Sequence, residues 1–520
     1  MTNWRRWSLV WLGGLCVLLG LLLGCTPSAP TAQEEIVIAA PRDLAPGEKD
    51  AFYCSKLLSV WEPLIDVDES GEPVGVLATS WESSPDARIW TFHLRQGVAF
   101  HDGTPFNAAA VVANLDRIKG VEFRGSQFYN MSLRLMYPSL EHWEAIDDAT
   151  VRLIFADPMP TLPYLMAGWN SAQFNPRSID PVTWDFMTTD IGTGPFRLAE
   201  RMPDQYVKIV RNDHYWGVPA QAETIRVRVI PDAQTRFSAM MAEEIVGVVD
   251  LGAMTPALAQ ELVRDDRFVR ETAPSTITHY LTLQGKQGIF VDSRMKRAVS
   301  LMVDRQAIVD NYFYGQAVPT ENLINSQSPF GRIVPPRHDS TAAVALAREV
   351  LGDRRVPVRL VISQSSCERY PYKEMAEWIQ AELRPLGLDV EIIVLDGAAV
   401  SQILRKGDYE MTLHIRGLSS RDPADLFWEW LSDDERGLAN ISRSIGYANP
   451  AVQAELVQIA SAQTLQDRRQ VYNRLQEMVL EDPVTVPLFE DTTLLVHHRK
   501  LEGFHPTSYG VTLAETHWAK

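Results

Sequence analysis

The chain has little of what catalytic or nucleic-acid-binding architectures need. Only 4 of its 520 residues are cysteine, which excludes a disulfide-dense scaffold. Lys and Arg number 49 against 66 Asp and Glu, and a formal net charge of −17 is the wrong sign for a protein that neutralises phosphates, so nucleic acid is not read as a partner. The 11 histidines are scattered, with no pair at the spacing of a helical zinc site and no His-Glu-x-x-His arrangement. Gly192-Thr193-Gly194-Pro195 lacks the lysine and the following helix of a phosphate loop and reads as a turn. No Gly-x-Ser-x-Gly elbow is present, and the pairs Asp147-Asp148 and Asp433-Asp434 sit in polar stretches where solvation is their default role. The sequence therefore calls for no catalytic metal and no cofactor, and it is not read as an enzyme.

What is present is a large globular body. With 46% hydrophobic residues, 14 Trp, 15 Tyr and 18 Phe, the chain is neither disordered nor low in complexity. At about 150 residues per domain its length suggests roughly three domains. One long apolar run exists, at the start. Arg5 and Arg6 precede an uncharged stretch from Trp7 to Cys25, the layout of an export signal. Its end, Leu22-Leu23-Gly24-Cys25, resembles the lipobox of bacterial lipoproteins, in which the cysteine thiol is diacylated. Residues 1–24 are read as a lipoprotein signal peptide, with a single membrane-spanning anchor as the other reading. Residues 25–35, opening Cys25-Thr26-Pro27-Ser28-Ala29-Pro30, suit a tether. Cys54 and Cys367 remain for the folded part, either as one disulfide or as two isolated thiols.

From residue 36 onward strand and helix patterns alternate without a long repeat, which reads as α/β. Trp90, Phe92 and Leu94 share one face of a strand, and Asp102-Gly103 marks the turn after it. Ile225, Val227 and Val229 make a second half-buried strand. Asp292 caps a helix whose Met295, Ala298, Val299, Met302 and Val303 fall on one face, so these methionines belong to the core. Strand 358–362, helix 372–383 and strand 388–395 form a strand-helix-strand unit that favours a parallel pair.

An ordered series of motifs carries a resemblance. Val60-Trp61-Glu62-Pro63-Leu64 is followed by Leu77-Ala78-Thr79-Ser80-Trp81 and by the block from Trp90 to Ala108, which contains Gly97-Val98-Ala99-Phe100-His101-Asp102-Gly103-Thr104-Pro105-Phe106. Gly192-Thr193-Gly194-Pro195-Phe196, Arg211-Asn212-Asp213-His214-Tyr215-Trp216-Gly217, Tyr314-Gly315-Gln316-Ala317 and Asp482-Pro483 continue it. From residue 36 to the C-terminus the chain resembles the extracytoplasmic solute-binding proteins of the peptide and nickel class, family 5, which serve ABC importers. The resemblance implies a two-lobed periplasmic-binding-protein fold of type II, cluster C-like, with a hinge and a ligand cleft between the lobes. It puts lobe I at residues 36–278 plus 489–520 and lobe II at 279–488. It implies a monomer in the cell envelope outside the cytoplasm, anchored through lipid on Cys25, that closes around its solute and presents it to permease subunits. A lipid-anchored hydrolase with an unnoticed carboxylate pair, and a sensor or adhesin on the same scaffold, are the other classes considered.

Two ligand classes stay open. In peptide-binding relatives a Trp-x-x-Asp segment before an Asp-Pro pair holds the α-ammonium group; counting back from Asp422-Pro423 places Arg416 at the tryptophan and Ser419 at the aspartate. Serine lacks the charge. In the nickel-chelate branch arginines grip the chelator's carboxylates, and the matching position here is Trp169 or Asn170. No counterpart of that branch's histidine follows Phe427, so no metal ligand is assigned. The resemblance places Cys54, beside Tyr53, at a cleft position that opens the first helix, where it either touches the ligand or is a small buried residue. Arg416 and Arg421 flank Gly417 to Ser420 and either grip an anionic ligand end or are surface charges. His414, on the strand before them, is read as a hydrogen-bonded strand histidine. The expected solute is peptide-like, with a metal chelate as the alternative.

Overall fold

The computed structural model describes residues 35–44, 55–124, 133–168, 171–250, 252–432, 445–447 and 449–519. Cys25 with the signal and most of the tether, Tyr53, Cys54, Trp169, Asn170 and Asp433-Asp434 lie outside the described residues.

Local chemistry explains the elements. Strand Ile89–Leu94 buries Trp90, Phe92 and Leu94 on one face, as a period of two requires. After it, Asp102 Oδ1 accepts from Thr104 N at 3.0 Å and Gly103 takes φ +81°. Asn107 Oδ1 then accepts from Ala110 N at 3.2 Å where helix Ala108–Arg124 begins. Asp292 caps helix Ser293–Met302 by accepting from Arg294 N, and Met295 and Met302 are buried in the core.

Three sheets organise the chain. The first orders strands Ile36–Ala40, Thr224–Val229, Tyr206–Arg211 and Phe196–Met202; the second orders Ala78–Ser83, Ile89–Leu94, Thr150–Phe155 and Leu140–Asp147. The third runs Val318–Pro319, Thr485–His498, Phe268–Leu283, Met411–Gly417, Val356–Ser363 and Leu388–Leu395. Its last two strands pair in parallel and are joined through helix Tyr372–Leu383, as the strand-helix-strand pattern anticipates. Two strands are unusually long. Phe268–Leu283 and Thr485–His498 lie antiparallel to each other, and their ladder is interrupted between Pro274 and Thr278. Beyond the break, Thr278 faces Glu490 and His279 faces Phe489. One large apolar core is drawn from residues between Ile36 and Val249 with Leu495 to Leu513, and another from residues between Leu281 and Phe489.

Three motifs of the resemblance, those around Trp61, Thr193 and Tyr215, converge on one carboxylate. Glu62 accepts from Tyr215 Oη at 2.6 Å, Thr193 Oγ1 at 2.8 Å and Trp216 Nε1 at 2.9 Å. Trp61 Nε1 donates to Thr189 O at 2.8 Å. Gly192 must be glycine, because a Cβ there would lie 2.0 Å from Val60 O. These residues build the body, and Gly192-Thr193-Gly194-Pro195 is the turn expected rather than a phosphate loop, since strand Phe196–Met202 follows it.

Candidate functional site

Strand Met411–Gly417 ends in a loop, and Pro423 starts helix Ala424–Leu431. Proline suits that place because its missing N–H is not needed in a first helical turn. Asp422 Oδ1 accepts from Ala424 N at 3.0 Å, an Asx turn that fixes the loop's exit. Asp425 follows in the first turn, where the helix dipole favours a carboxylate.

The loop brings together three of the residues singled out from sequence. Arg416 Nε donates to Glu429 Oε2 at 2.6 Å, and Arg416 Nη2 lies 3.3 Å from Asp425 Oδ2. Ser419 Oγ donates to the same Asp425 oxygen. The carboxylate absent at position 419 is thus present beside it, from the helix. Burial alone would pull the Arg416 guanidinium down, but Glu429 and Asp425 outweigh it and hold it above its ordinary value. Burial raises the Glu429 carboxyl, with Arg416 opposing. Asp425 Oδ1 is buried and receives no hydrogen bond.

Arg421 differs from Arg416. It is 3% exposed, and its Nη1 donates to Gln327 O at 2.8 Å and Gln327 Oε1 at 3.3 Å. Its Nε has no partner, and no carboxylate pairs with it among the described residues. Ser328 Oγ donates to Arg421 O at 2.7 Å.

Distant parts of the chain face this loop. Tyr509, from the C-terminal hairpin, has its ring 5.4 Å from the Arg421 guanidinium carbon. Burial pushes the Tyr509 phenol up to about 12, with Arg421 opposing and Asp66 and Asp425 adding to the rise. Ser508 Oγ donates to Gln327 Oε1 at 3.1 Å. Arg421 N reaches Tyr164 O at 3.4 Å, while Tyr164 Oη donates to Glu72 Oε2 at 2.7 Å. The Tyr164 ring meets Phe330 edge-on at 5.1 Å. The site thus joins segments near residues 72, 164 and 509 to segments near 327 and 416–429.

His414 is half satisfied: Nδ1 lies 3.1 Å from Thr282 Oγ1, while Nε2 is buried without a partner. Its ring stacks on Trp430 at 5.2 Å, and burial, aided by Arg416, lowers its pKa to about 4. Cys367 is a free, half-buried thiol. Among the described residues no group of three or more His, Cys, Asp and Glu could hold a metal ion. Asp425, Gln327 and Tyr509 were missed from sequence; an acidic residue in the first turn after Asp422-Pro423 was the available clue to Asp425.

Compared with known proteins, residues 72–437 match the family of bacterial extracellular solute-binding proteins, family 5. The chain belongs to this family. Members are binding components of ABC importers, so this family 5 protein is a solute-binding transport protein rather than an enzyme. It is 24% identical over 497 residues to the glutathione-binding protein GsiB of Salmonella typhi, covering 94% of each chain. It is 25% identical over 517 residues to the protein of that name from Pectobacterium atrosepticum, covering 97% of this chain and 96% of the relative. Among solved structures, NikA from Brucella suis in complex with Fe(III)-EDTA superposes with a TM-score of 0.81 at 22% identity, covering 93% of this chain and 99% of that one. DppA from Helicobacter pylori in complex with the peptide STSA gives 0.75 at 21%, covering 94% and 98%. The α/β fold is the two-lobed one of these neighbours. Among the described residues of this family 5 protein no helix is long and apolar enough to cross a membrane.

Proposed function

We propose that this chain is a lipid-anchored receptor, acylated at Cys25, that captures a peptide-like solute carrying both an ammonium and a carboxylate group and delivers it to an ABC importer. Lobe I comprises residues 36–278 and 489–520, lobe II residues 279–488, and the solute lies between them. One observation carries the reading. The buried Arg421 guanidinium has no carboxylate partner among the described residues, and the buried Asp425 Oδ1 has no donor, while both bear on Tyr509. Buried charge of this kind is costly unless a partner completes it, and a zwitterion supplies both halves. Arg416 and Ser419 position Asp425. Tyr53, Cys54 and Trp169 or Asn170 would line the same cleft, as the resemblance implies. The names of GsiB and DppA, with glutathione and a peptide, support the choice of solute.

Native mass spectrometry of protein purified from its own source tests this. A co-purified ligand mass matching a short peptide or a glutathione-like compound is the expected result. A metal chelate would replace the peptide reading with the chelate one, and a bound molecule that emerges chemically altered would replace the receptor with a hydrolase. Labelling with a fatty acid in the native host reports the anchor, and Cys25→Ser abolishes the label.

A further inference from the structure

The turn Pro158–Thr161 is gripped from a part of the chain remote in sequence. Thr161 Oγ1 donates to Asp422 Oδ2 across 261 positions, and Arg468 Nη2 donates to Pro158 O at 3.2 Å across 310. Arg468 and Tyr472 stand one turn apart on helix Leu465–Glu481, hence on the same face. Tyr472 Oη donates to the other Asp422 oxygen, Oδ1. Met159 Sδ completes the contact, 3.9 Å from both Thr161 Oγ1 and Arg468 Nη2. All four groups are almost fully covered: Thr161 and Tyr472 are 0% exposed, Asp422 and Arg468 2%.

Both Asp422 oxygens are occupied by protein donors, so this carboxylate is not one that a ligand needs to complete. Its burial makes sense in another way. A carboxylate and a guanidinium removed from water are costly unless their polar atoms find partners, and here each finds one on the Pro158–Thr161 turn. Were the turn to withdraw, water would have to take its place at both groups. The cross-contacts therefore have value only while the two segments are pressed together.

We infer that Asp422, Arg468 and Tyr472 form a latch that holds lobe II against the Pro158–Thr161 turn of lobe I and sets the balance between open and closed receptor independently of the solute. The inference rests on the two-lobed receptor reading of the preceding section. A contact made only in the closed form shifts the closure equilibrium by its own free energy, and the apparent solute affinity falls with the closed fraction. Thr161 is a positioning residue: it touches no solute and acts through Asp422.

Thr161→Val is the decisive variant, since it keeps the shape of the side chain and deletes the cross-lobe hydroxyl while leaving the Tyr472–Asp422 bond intact. Fluorophores carried by unnatural amino acids at Val218 (85% exposed) and Ile333 (74% exposed) report the distance between lobes in single molecules. The protein is measured alone and with reduced glutathione, dialanine or trialanine. The wild type is expected to show two distances. Thr161→Val is expected to lower the closed fraction and to raise the solute concentration for half closure about tenfold, the loss of one hydrogen bond to a charged group. The urea midpoint of the unliganded protein stays unchanged, and Thr161→Ser restores the closed fraction. Two wild-type distances whose proportions Thr161→Val leaves unaltered overturn the latch alone. A single wild-type distance under every condition overturns the two-lobed reading and the latch with it.

Discussion

Glu62 is a buried carboxylate and Asp425 a half-buried one with a buried Oδ1, and their surroundings differ. Glu62 receives three hydrogen bonds from Tyr215, Trp216 and Thr193, and burial still raises its pKa. Its partners come from the motifs that mark the family. Asp425 has one oxygen held by Ser419 and Arg416 and the other without a donor. The first arrangement is closed to anything from outside, which is what a structural carboxylate requires. The second keeps one acceptor site unused, which is what the proposed ammonium contact needs. A buried charge is therefore informative about binding only after its hydrogen bonds have been counted.

The comparison is most sharply tested by removing the closed member. Glu62→Ala strands three donors, of which Thr193 is fully buried and Tyr215 and Trp216 are half-buried, and is expected to cost about 3 kcal/mol in urea unfolding without changing which solutes the surviving folded protein binds. A change in solute preference would mean that Glu62 is not purely structural. His414 gives a second test, on the Asp425 side. Its folded pKa of about 4 lies below the ordinary 6.5, so the unfolded chain binds a proton between these values that the folded chain refuses. Its contribution is full above about pH 6.5 and is lost as pH falls towards 4, a decline of about 3 kcal/mol. His414→Gln is expected to flatten that part of the profile, measured by urea unfolding at pH 6.5 and 4.5; an unchanged slope would place the proton uptake elsewhere. The smallest effect belongs to the open member. Asp425→Asn is expected to weaken peptides with a free amino terminus by about 1.5–3 kcal/mol and to leave N-acetylated peptides nearly unaffected, read by calorimetry. Equal losses for both would remove the ammonium from the site.

Much of the fold was legible because it is written in short-range terms. The helix expected over 372–383 is observed as Tyr372–Leu383, and Trp90, Phe92 and Leu94 share a buried strand face. Asp292 caps the helix it was expected to cap. The site was legible only in part. Counting back from Asp422-Pro423 reached Arg416 and Ser419, but linear counting sought a carboxylate upstream, whereas the one beside Ser419 is Asp425, downstream in the first turn of the next helix. Tyr509 gave no periodic pattern because its hairpin has strands of only two residues, Pro506–Thr507 and Gly510–Val511. Sequence likewise cannot say that Arg421 and Arg416 differ, since their surroundings come from distant segments.

The pairing of the two long strands bears on how the protein is made. Thr282 and Thr485, 203 positions apart, touch through their hydroxyls across the third sheet, and Tyr509 stands later still in the chain. A polypeptide leaving the ribosome or a translocon amino end first must expose strand Phe268–Leu283 long before strand Thr485–His498 emerges, and such non-local pairing is intrinsically slow. Completion of the third sheet is then among the last steps in building the molecule. A chain only half emerged has one of the two long strands and must keep its unpaired edge from other partners until the second arrives.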